Sequence, residues 1–452
     1  MLRLTLLVVA AVLAGGMTGV ALAQAPSFVA PPRSVADIAA ILDQEKPDPA
    51  RMARLQARAS AEPAAGLPDG ALAAFYFERA LARSELGRGF EAIADAEKSV
   101  ELRRKLSRSV FTQQQFIAAQ YTGGFLGDPK AALVLLMEME KAHPTSGWTD
   151  QALLNIYRHI VTHLVSLGDF KSAEAYLAKS DAFFQARRNG PKAALVDSSF
   201  EADLEFARAW YLGALGRYAE SEAAYAKSEM ARRDSMEKAA SWPDTPPRAS
   251  FLRTIDGTVI RLGRVKAQQG RVAEAEADVR RALLSQLGRA GRYHPVTMTF
   301  VSRLAEVLIQ QGRYPEAERL ARIAVDTLRA IGFAEDSQTF VAPLNQLATT
   351  LYLQGRWSEA AESQAALDKA MAGWEPDARD FVRLAPARIY TLYNTGQLVA
   401  GVDQAREMIA YRKRRFGDSH PNYAIARGIL GQTFPFIGFN KIIFAIQRIG
   451  HF

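Results

Sequence analysis

His159 and His163 are the pair in this chain best spaced to do chemistry. Imidazoles four residues apart on a helix can share a metal ion. The rest of such a site is missing. Ile160 stands where a zinc-hydrolase helix carries its glutamate, and no third ligand follows at a clear spacing. Ile160 and Leu164 take the buried positions, which places both histidines off the packed face. His294 and His420 precede proline at corresponding places, and His143 precedes Pro144, so a structural role at turns is expected. Glu316 and Glu359 recur with a fixed period, which marks turn or cap groups rather than an acid–base pair. There is no Gly-rich phosphate loop, no Gly-x-Ser-x-Gly and no cysteine, so thiolate metal sites, disulfides and a cysteine nucleophile are excluded. The chain reads as a non-enzyme with no catalytic residues, no metal and no cofactor.

What the sequence does carry is a repeated phrase. Gly168-Asp169-Phe170-Lys171-Ser172-Ala173 returns as Gly216-Arg217-Tyr218-Ala219-Glu220-Ser221, Gly270-Arg271-Val272-Ala273-Glu274-Ala275, Gly312-Arg313-Tyr314-Pro315-Glu316-Ala317 and Gly355-Arg356-Trp357-Ser358-Glu359-Ala360. Weaker copies start at Gly87, Gly127 and Gly396, and the most regular copies are 41 to 43 residues apart. A near-fixed period means a stack of similar units. Before Gly312, the residues Val301, Leu304, Ala305 and Leu308 fall at i, i+3, i+4 and i+7, one face of a helix. Leu344, Leu347, Ala348 and Leu351 hold the same offsets before Gly355. A second apolar stripe, Ala317, Leu320, Ala321, Ala324, Val325 and Leu328, follows the phrase. Each unit is therefore a helical hairpin. The glycine ends its first helix, the aromatic covers the turn, and the small residue lets the second helix approach closely.

These residues resemble the tetratricopeptide repeat. Leu262-Gly263, Leu304-Ala305 and Leu347-Ala348 match its leading pair. Ala132, Ala173, Ala275, Ala317 and Ala360 match its central Ala, Ala282 and Ala324 its next small position, and Pro144 its late Pro. The usual period is about 34 residues; the longer one here resembles the repeats of kinesin light chain. Those open on Gly-x-x-His-Pro, matched by Gly291 to Pro295 and by Gly417 to Pro421. The resemblance covers roughly residues 73–431. It implies an all-α, right-handed α-solenoid of about eight tetratricopeptide-like hairpins.

Composition and the chain ends bound the setting. Arg3, an apolar run from Leu4 to Ala14, and Ala21-Leu22-Ala23 before Gln24 form a signal peptide over 1–23, cut after Ala23. A periplasmic or secreted protein with no stable membrane span after cleavage is expected. Residues 24–33 read as a linker and 34–66 as an N-terminal helical cap shielding the first apolar face of the array. Residues 67–433 form the repeat solenoid. The widest gap between turn glycines, 216 to 270, contains Trp242-Pro243-Asp244-Thr245-Pro246-Pro247, which must be a loop. Net charge is +8. The clusters Arg103-Arg104-Lys105, Arg187-Arg188, Arg232-Arg233 and Arg412 to Arg415 fall near the ends of second helices, where cations complement the helix dipole, and nucleic acid is not an expected partner. Residues 434–452 form an atypical hydrophobic tail: ten of these nineteen are Phe or Ile, for which an interrupted reading frame is the expectation and a hydrophobic cap helix the alternative. Export signal, cap and long repeats together resemble the N-terminal half of bacterial proteins ending in a caspase-like CHAT domain. That family's His-Cys chemistry has no counterpart here, because Cys is absent.

The tetratricopeptide resemblance also implies a concave groove, lined by first helices, that holds an extended peptide or a helix of a protein partner. Counting back from each turn glycine places Asn155, Arg158 and Thr162 on it. Arg264, Gln268, Glu306 and Gln310 follow, then Asn345, Tyr352, Tyr390, Tyr393 and Asn394. Asn bonds a peptide backbone both ways, and Tyr and Arg are typical interface anchors.

Overall fold

The computed structural model describes residues 30–122, 128–146, 150–189, 198–239, 247–418 and 422–431. The signal peptide, the 434–452 tail, Gly127, residues 240–246 and His420-Pro421 lie outside the described residues. Among the described residues every regular element is a helix. Two short helices come first, α1 (Ala36–Gln44) and α2 (Pro49–Ser60). Hairpins follow: α3–α4 (Asp69–Glu85, Gly89–Lys105), α5–α6 (Phe111–Thr122, Pro129–Ser146), α7–α8 (Asp150–Leu167, Phe170–Arg188) and α9–α10 (Ser198–Ala214, Tyr218–Ala239). Next are α11–α12 (Arg248–Gln268, Val272–Ala290), α13–α14 (Pro295–Gln310, Tyr314–Ala330) and α15–α16 (Gln338–Leu353, Trp357–Ala370). A short α17 (Pro376–Arg383) precedes the last hairpin, α18–α19 (Pro386–Asn394, Leu398–Phe416). The protein is a stack of helical hairpins, an α-solenoid.

The turn phrase folds as its residues dictate. All seven described turn glycines have φ between +73° and +81°, where a side chain would be strained. The following amide closes the turn, as when Arg313 N donates to Leu308 O at 2.9 Å while Gly312 N donates to Ile309 O. Ala173, Ala275, Ala317 and Ala360 are fully buried where the second helix crosses the first. The phrase's Arg and Glu have a use that the sequence reading left undivided. Arg313 bonds Glu316 of its own turn at 2.7 Å and Glu276 of the preceding second helix at 2.9 Å. Gln311 joins it on Glu276. Arg356 repeats this with Glu359 and Glu318, and Arg271 with Glu274 and Glu222. Each of these three turns is thus latched to the unit before it. Glu276, 2% exposed and also bonded to Arg280, is the most enclosed of these carboxylates. Glu276→Ala leaves Arg280 and Arg313 short of a buried partner and is expected to cost about 3 kcal/mol. The better solvated Glu222→Ala is expected to cost under about 1 kcal/mol. Urea unfolding of the two variants checks this, and equal losses would refute the latch.

Several expectations change in detail. The wide gap before Gly270 holds long helices, α10 of 22 residues and α11 of 21, on either side of residues 240–246, so the loop expected there is not contradicted. Arg103-Arg104-Lys105, Arg187-Arg188 and Lys413-Arg414-Arg415 do occupy last turns. Arg232 and Arg233 do not. They lie within α10 and pair with Asp203 and Glu229.

The N-terminal segment divides its roles. Leu55 and Ala59 of α2 pack on Ala82 and Leu86, covering the first hairpin as expected of a cap. The α1 side chains Ile38 and Leu42, with Val35 just before it, instead enter the core that spans Ile255 to Trp374. Asp37 bonds Arg280 at 2.9 Å, Glu316 accepts from Val35 N at 2.7 Å, and Asp43 bonds Arg319 at 3.0 Å. The chain therefore meets itself across the array. Ala334 N donates to Leu86 O at 2.8 Å, and a Cβ on Gly87 would stand 2.6 Å from the Phe333 ring. Arg415 donates to Ser166 O beside Gly168. In both contacts the hairpin turn of one unit meets the far end of a second helix five units later, so the superhelix closes edge to edge after one turn.

Candidate peptide-binding face

The first helices carry every candidate side chain, most of them at offsets outside the packing stripe. α7 carries Asn155, Arg158 and Thr162; α11 carries Arg264 and Gln268; α13 carries Glu306 and Gln310. Asn345 and Tyr352 lie on α15, and Tyr390, Tyr393 and Asn394 on α18. Arg264, Gln268, Gln310 and Asn394 are exposed. Asn155 accepts a bond from Gln115 of the preceding first helix at 2.7 Å, and Thr162 donates to His159 O. Asn394 donates to Tyr390 O.

The structure gathers the candidates into two patches. In the first, Arg158 and Arg232 both reach Asp203 at 3.0 Å, with the Phe206 ring beneath both guanidiniums. Further along, Arg261 stacks 4.3 Å from the centre of the Trp210 ring. Burial, only partly offset by Tyr225, brings the Arg261 guanidinium down to about 10. Burial pushes the Glu306 carboxyl up, but Arg303, Arg264 and Arg261 more than offset this and hold it below its usual range. In the second patch Tyr352 and Tyr390 stack at 5.9 Å with 14° between planes, and Trp357 lies 5.4 Å from Tyr352. The first patch is cationic and the second aromatic.

Two placements differ from the sequence reading. Tyr393 is 4% exposed and belongs to the core of the last hairpin, so it does not face the groove. Its ring occupies the space that a Cβ on Gly401 would need. Gly401 stands where the other units have the phrase's Ala or Ser, and losing that side chain lets the ring move in. His163, expected off the packed face, is 7% exposed. Burial, with Arg158 beside it, holds its imidazole at about 4. His159 is also pushed well down by burial and Arg158, whose Nη2 lies 2.8 Å from its Nε2. His294 takes the turn role expected of it: its Nδ1 accepts from Val296 N and caps α13. Among the described residues no three His, Asp or Glu side chains gather as a metal site, and no helix is long and apolar enough to cross a membrane.

Trp210, Arg261 and Arg303 were missed by sequence reasoning. A signal existed for Trp210. It stands six residues before Gly216, the offset at which Thr162, Arg264, Glu306 and Tyr390 precede their own glycines.

These hairpins, their glycine turns and their buried alanines define a tetratricopeptide-type helical array. The tetratricopeptide-repeat family model matches residues 300–322, across the turn between α13 and α14. Three solved structures are similar. A putative kinesin light chain from Podosopora anserina, built of nearly identical TPR-like repeats, is 16% identical, with 47% of this chain and 97% of that one covered and a TM-score of 0.34. BtubC (BKLC) from P. vanneervenii is 15% identical over 55% of this chain and 91% of that one, with a TM-score of 0.38. The Rap conjugation gene regulator of plasmid pLS20, in complex with the Phr* peptide, is 14% identical over 81% and 96%, with a TM-score of 0.40. No curated protein matches the sequence.

Proposed function

We propose that this protein is an exported scaffold that binds a protein or peptide partner along the concave face formed by its first helices. The observation that carries the reading is the row of side chains outside the packing stripe on consecutive first helices: Arg158, Trp210, Arg264, Glu306, Asn345 and Tyr390. A row with one reader per unit suits an extended chain. Its aromatic end offers flat apolar anchors with polar tips. Its amide offers both a donor and an acceptor to a peptide backbone. Export rests on the charged start, apolar run and Ala21-Leu22-Ala23 of the N-terminus.

The test is a pull-down from the exported fraction with wild type, Asn345→Ala and Tyr390→Ala. Both variants keep their fold by circular dichroism and recover at least about tenfold less partner, the loss of one interface anchor of about 1.4 kcal/mol or more. Recovery by both equal to wild type removes this assignment of the groove.

A further inference from the structure

Arg261 and Arg264 stand out on the first-helix face because no carboxylate of the fold pairs with them. They lie three residues apart on α11, so they rise from neighbouring points of one helix. Around them Arg271, Arg280, Arg281, Arg289 and Arg313 each hold a carboxylate. Arg261 and Arg264 make no hydrogen bond or ion pair with any described residue. Glu306, on the next first helix, is within electrostatic reach of both, but Arg303 holds it at 2.9 Å. Arg261 is half-buried and lies against the Trp210 ring, which steadies its guanidinium without neutralising it. Burial, then the charges of Arg303 and Arg264, disfavour its ionised form, and Tyr225 and Glu306 restore only part of this. The group still carries its charge at neutral pH, with N–H donors that meet no acceptor among the described residues. A half-buried charge in that state is costly, and a bound anion removes the cost.

We propose that Arg261 and Arg264, with Trp210 as the platform beneath Arg261, form a site for a phosphate group. Two unpaired positive charges call for two negative ones. Their closeness on one helix turn calls for a group compact enough to reach both. A phosphate carries nearly two charges and several strong acceptor oxygens on one atom. Its oxygens also match the fork of a guanidinium, which favours paired bonds. A single carboxylate leaves one of the two arginines unpaired. Two carboxylates on separate carbons must both be stripped of water to reach the same spot, at a higher cost. The phosphate is either the free ion or an ester on a chain lying in the groove; the recognising chemistry is the same. The site deepens the reading given above and rests on it to this extent: it uses the first-helix face proposed there for the partner.

The probe is inorganic phosphate, titrated into the full chain by isothermal calorimetry at constant ionic strength and about pH 8, above its second ionisation. Saturable binding is expected. Arg261→Gln raises the Kd at least about tenfold, and Arg264→Gln, at the more exposed position, about threefold. Circular dichroism checks that both variants are folded. Arg356→Gln, in a turn latch two units along, leaves the Kd unchanged. Succinate, whose two charges sit on separate carboxylates, binds about tenfold more weakly than phosphate. O-phosphoserine separates the two sources: it binds more tightly than the free ion if the phosphate belongs to a chain in the groove, and more weakly if the site takes the ion alone. No saturable binding, an unchanged Kd in both Arg261→Gln and Arg264→Gln, or succinate binding as tightly as phosphate would overturn the proposal. The last of these would make the patch a reader of acidic side chains instead. No partner protein is present in the titration, so its failure and a failure of the pull-down are read separately.

Discussion

Ile38→Ala is expected to loosen the whole middle of the array, although Ile38 lies more than two hundred residues away from it in sequence. Its side chain is fully buried, with Val35 and Leu42, in the core shared by α11 to α16. Removing a buried isoleucine side chain down to its Cβ costs about 3 kcal/mol, part in transfer free energy and part in the cavity left behind. The loss falls on the seating of α1. When α1 lifts, Arg280 loses Asp37 and the carbonyl of Ser34, and Glu316 loses the Val35 amide. Hydrogen exchange then shows amides of α1 opening roughly a hundredfold more often, with lesser gains in the facing turns of α12 and α14. α5 to α8, whose cores include no α1 side chain, keep their protection. Unchanged exchange in α1 would mean that its burial contributes nothing to the array.

The second large effect is acid lability set by histidines. His163 and His294 sit near pKa 4 in the folded chain, both mainly through burial. Arg158 adds to this at His163, and Arg51, Arg289 and Arg253 add to it at His294. An unfolded imidazole titrates near 6.5. As pH falls, the unfolded chain therefore takes up protons first. The stability these neutral rings contribute is complete above about pH 6.5 and is lost between there and pH 4. At pH 5 each accounts for roughly 2 kcal/mol. His159 adds to the loss in the same direction. At His294 the charge also removes the acceptor that caps α13. Tm is expected to drop several degrees from pH 7 to pH 5. His163→Leu and His294→Asn each flatten that drop, the latter keeping a cap. A drop of the same size in both variants would show that other groups carry it.

The hairpins were legible in the sequence because they rest on a local rule. Val301, Leu304, Ala305 and Leu308 announce a packed stripe, Gly312 its end, and Ala317 the crossing of the next helix. The structure buries each of those side chains fully. The offsets that named the groove follow from the same arithmetic, which is why most candidates fall on one face. Tyr393 escaped it because its position is decided by a neighbour across the hairpin, Gly401, rather than by its own helix. His163 escaped it because two layers pack on α7, so an offset outside the stripe is still enclosed. The burial of α1 in a distant core left no trace in the periodicity. It depends on single residues such as Arg280, Glu316 and Arg319, whose periodic counterparts look much the same. The contacts of Leu86 with Ala334 and of Ser166 with Arg415 are equally silent: the first joins backbone to backbone, and the second lands an arginine side chain on a carbonyl that any sequence supplies.

Those two contacts change the thermodynamics of the molecule. An array whose units touch only their neighbours frays from its ends and can shed units one at a time. Here the unit next to the N-terminus is held by one five places along, and the last described hairpin by another five places back. A terminal hairpin cannot melt without releasing a contact in the interior, and an interior one cannot melt without freeing an end. Melting is thereby made cooperative over the length of the chain. The same closure spans 249 residues. It can form only after the intervening hairpins have stacked into the right curvature, because joining ends so far apart in a disordered chain has a high entropic cost. The superhelix is thus assembled from local pieces and fastened last.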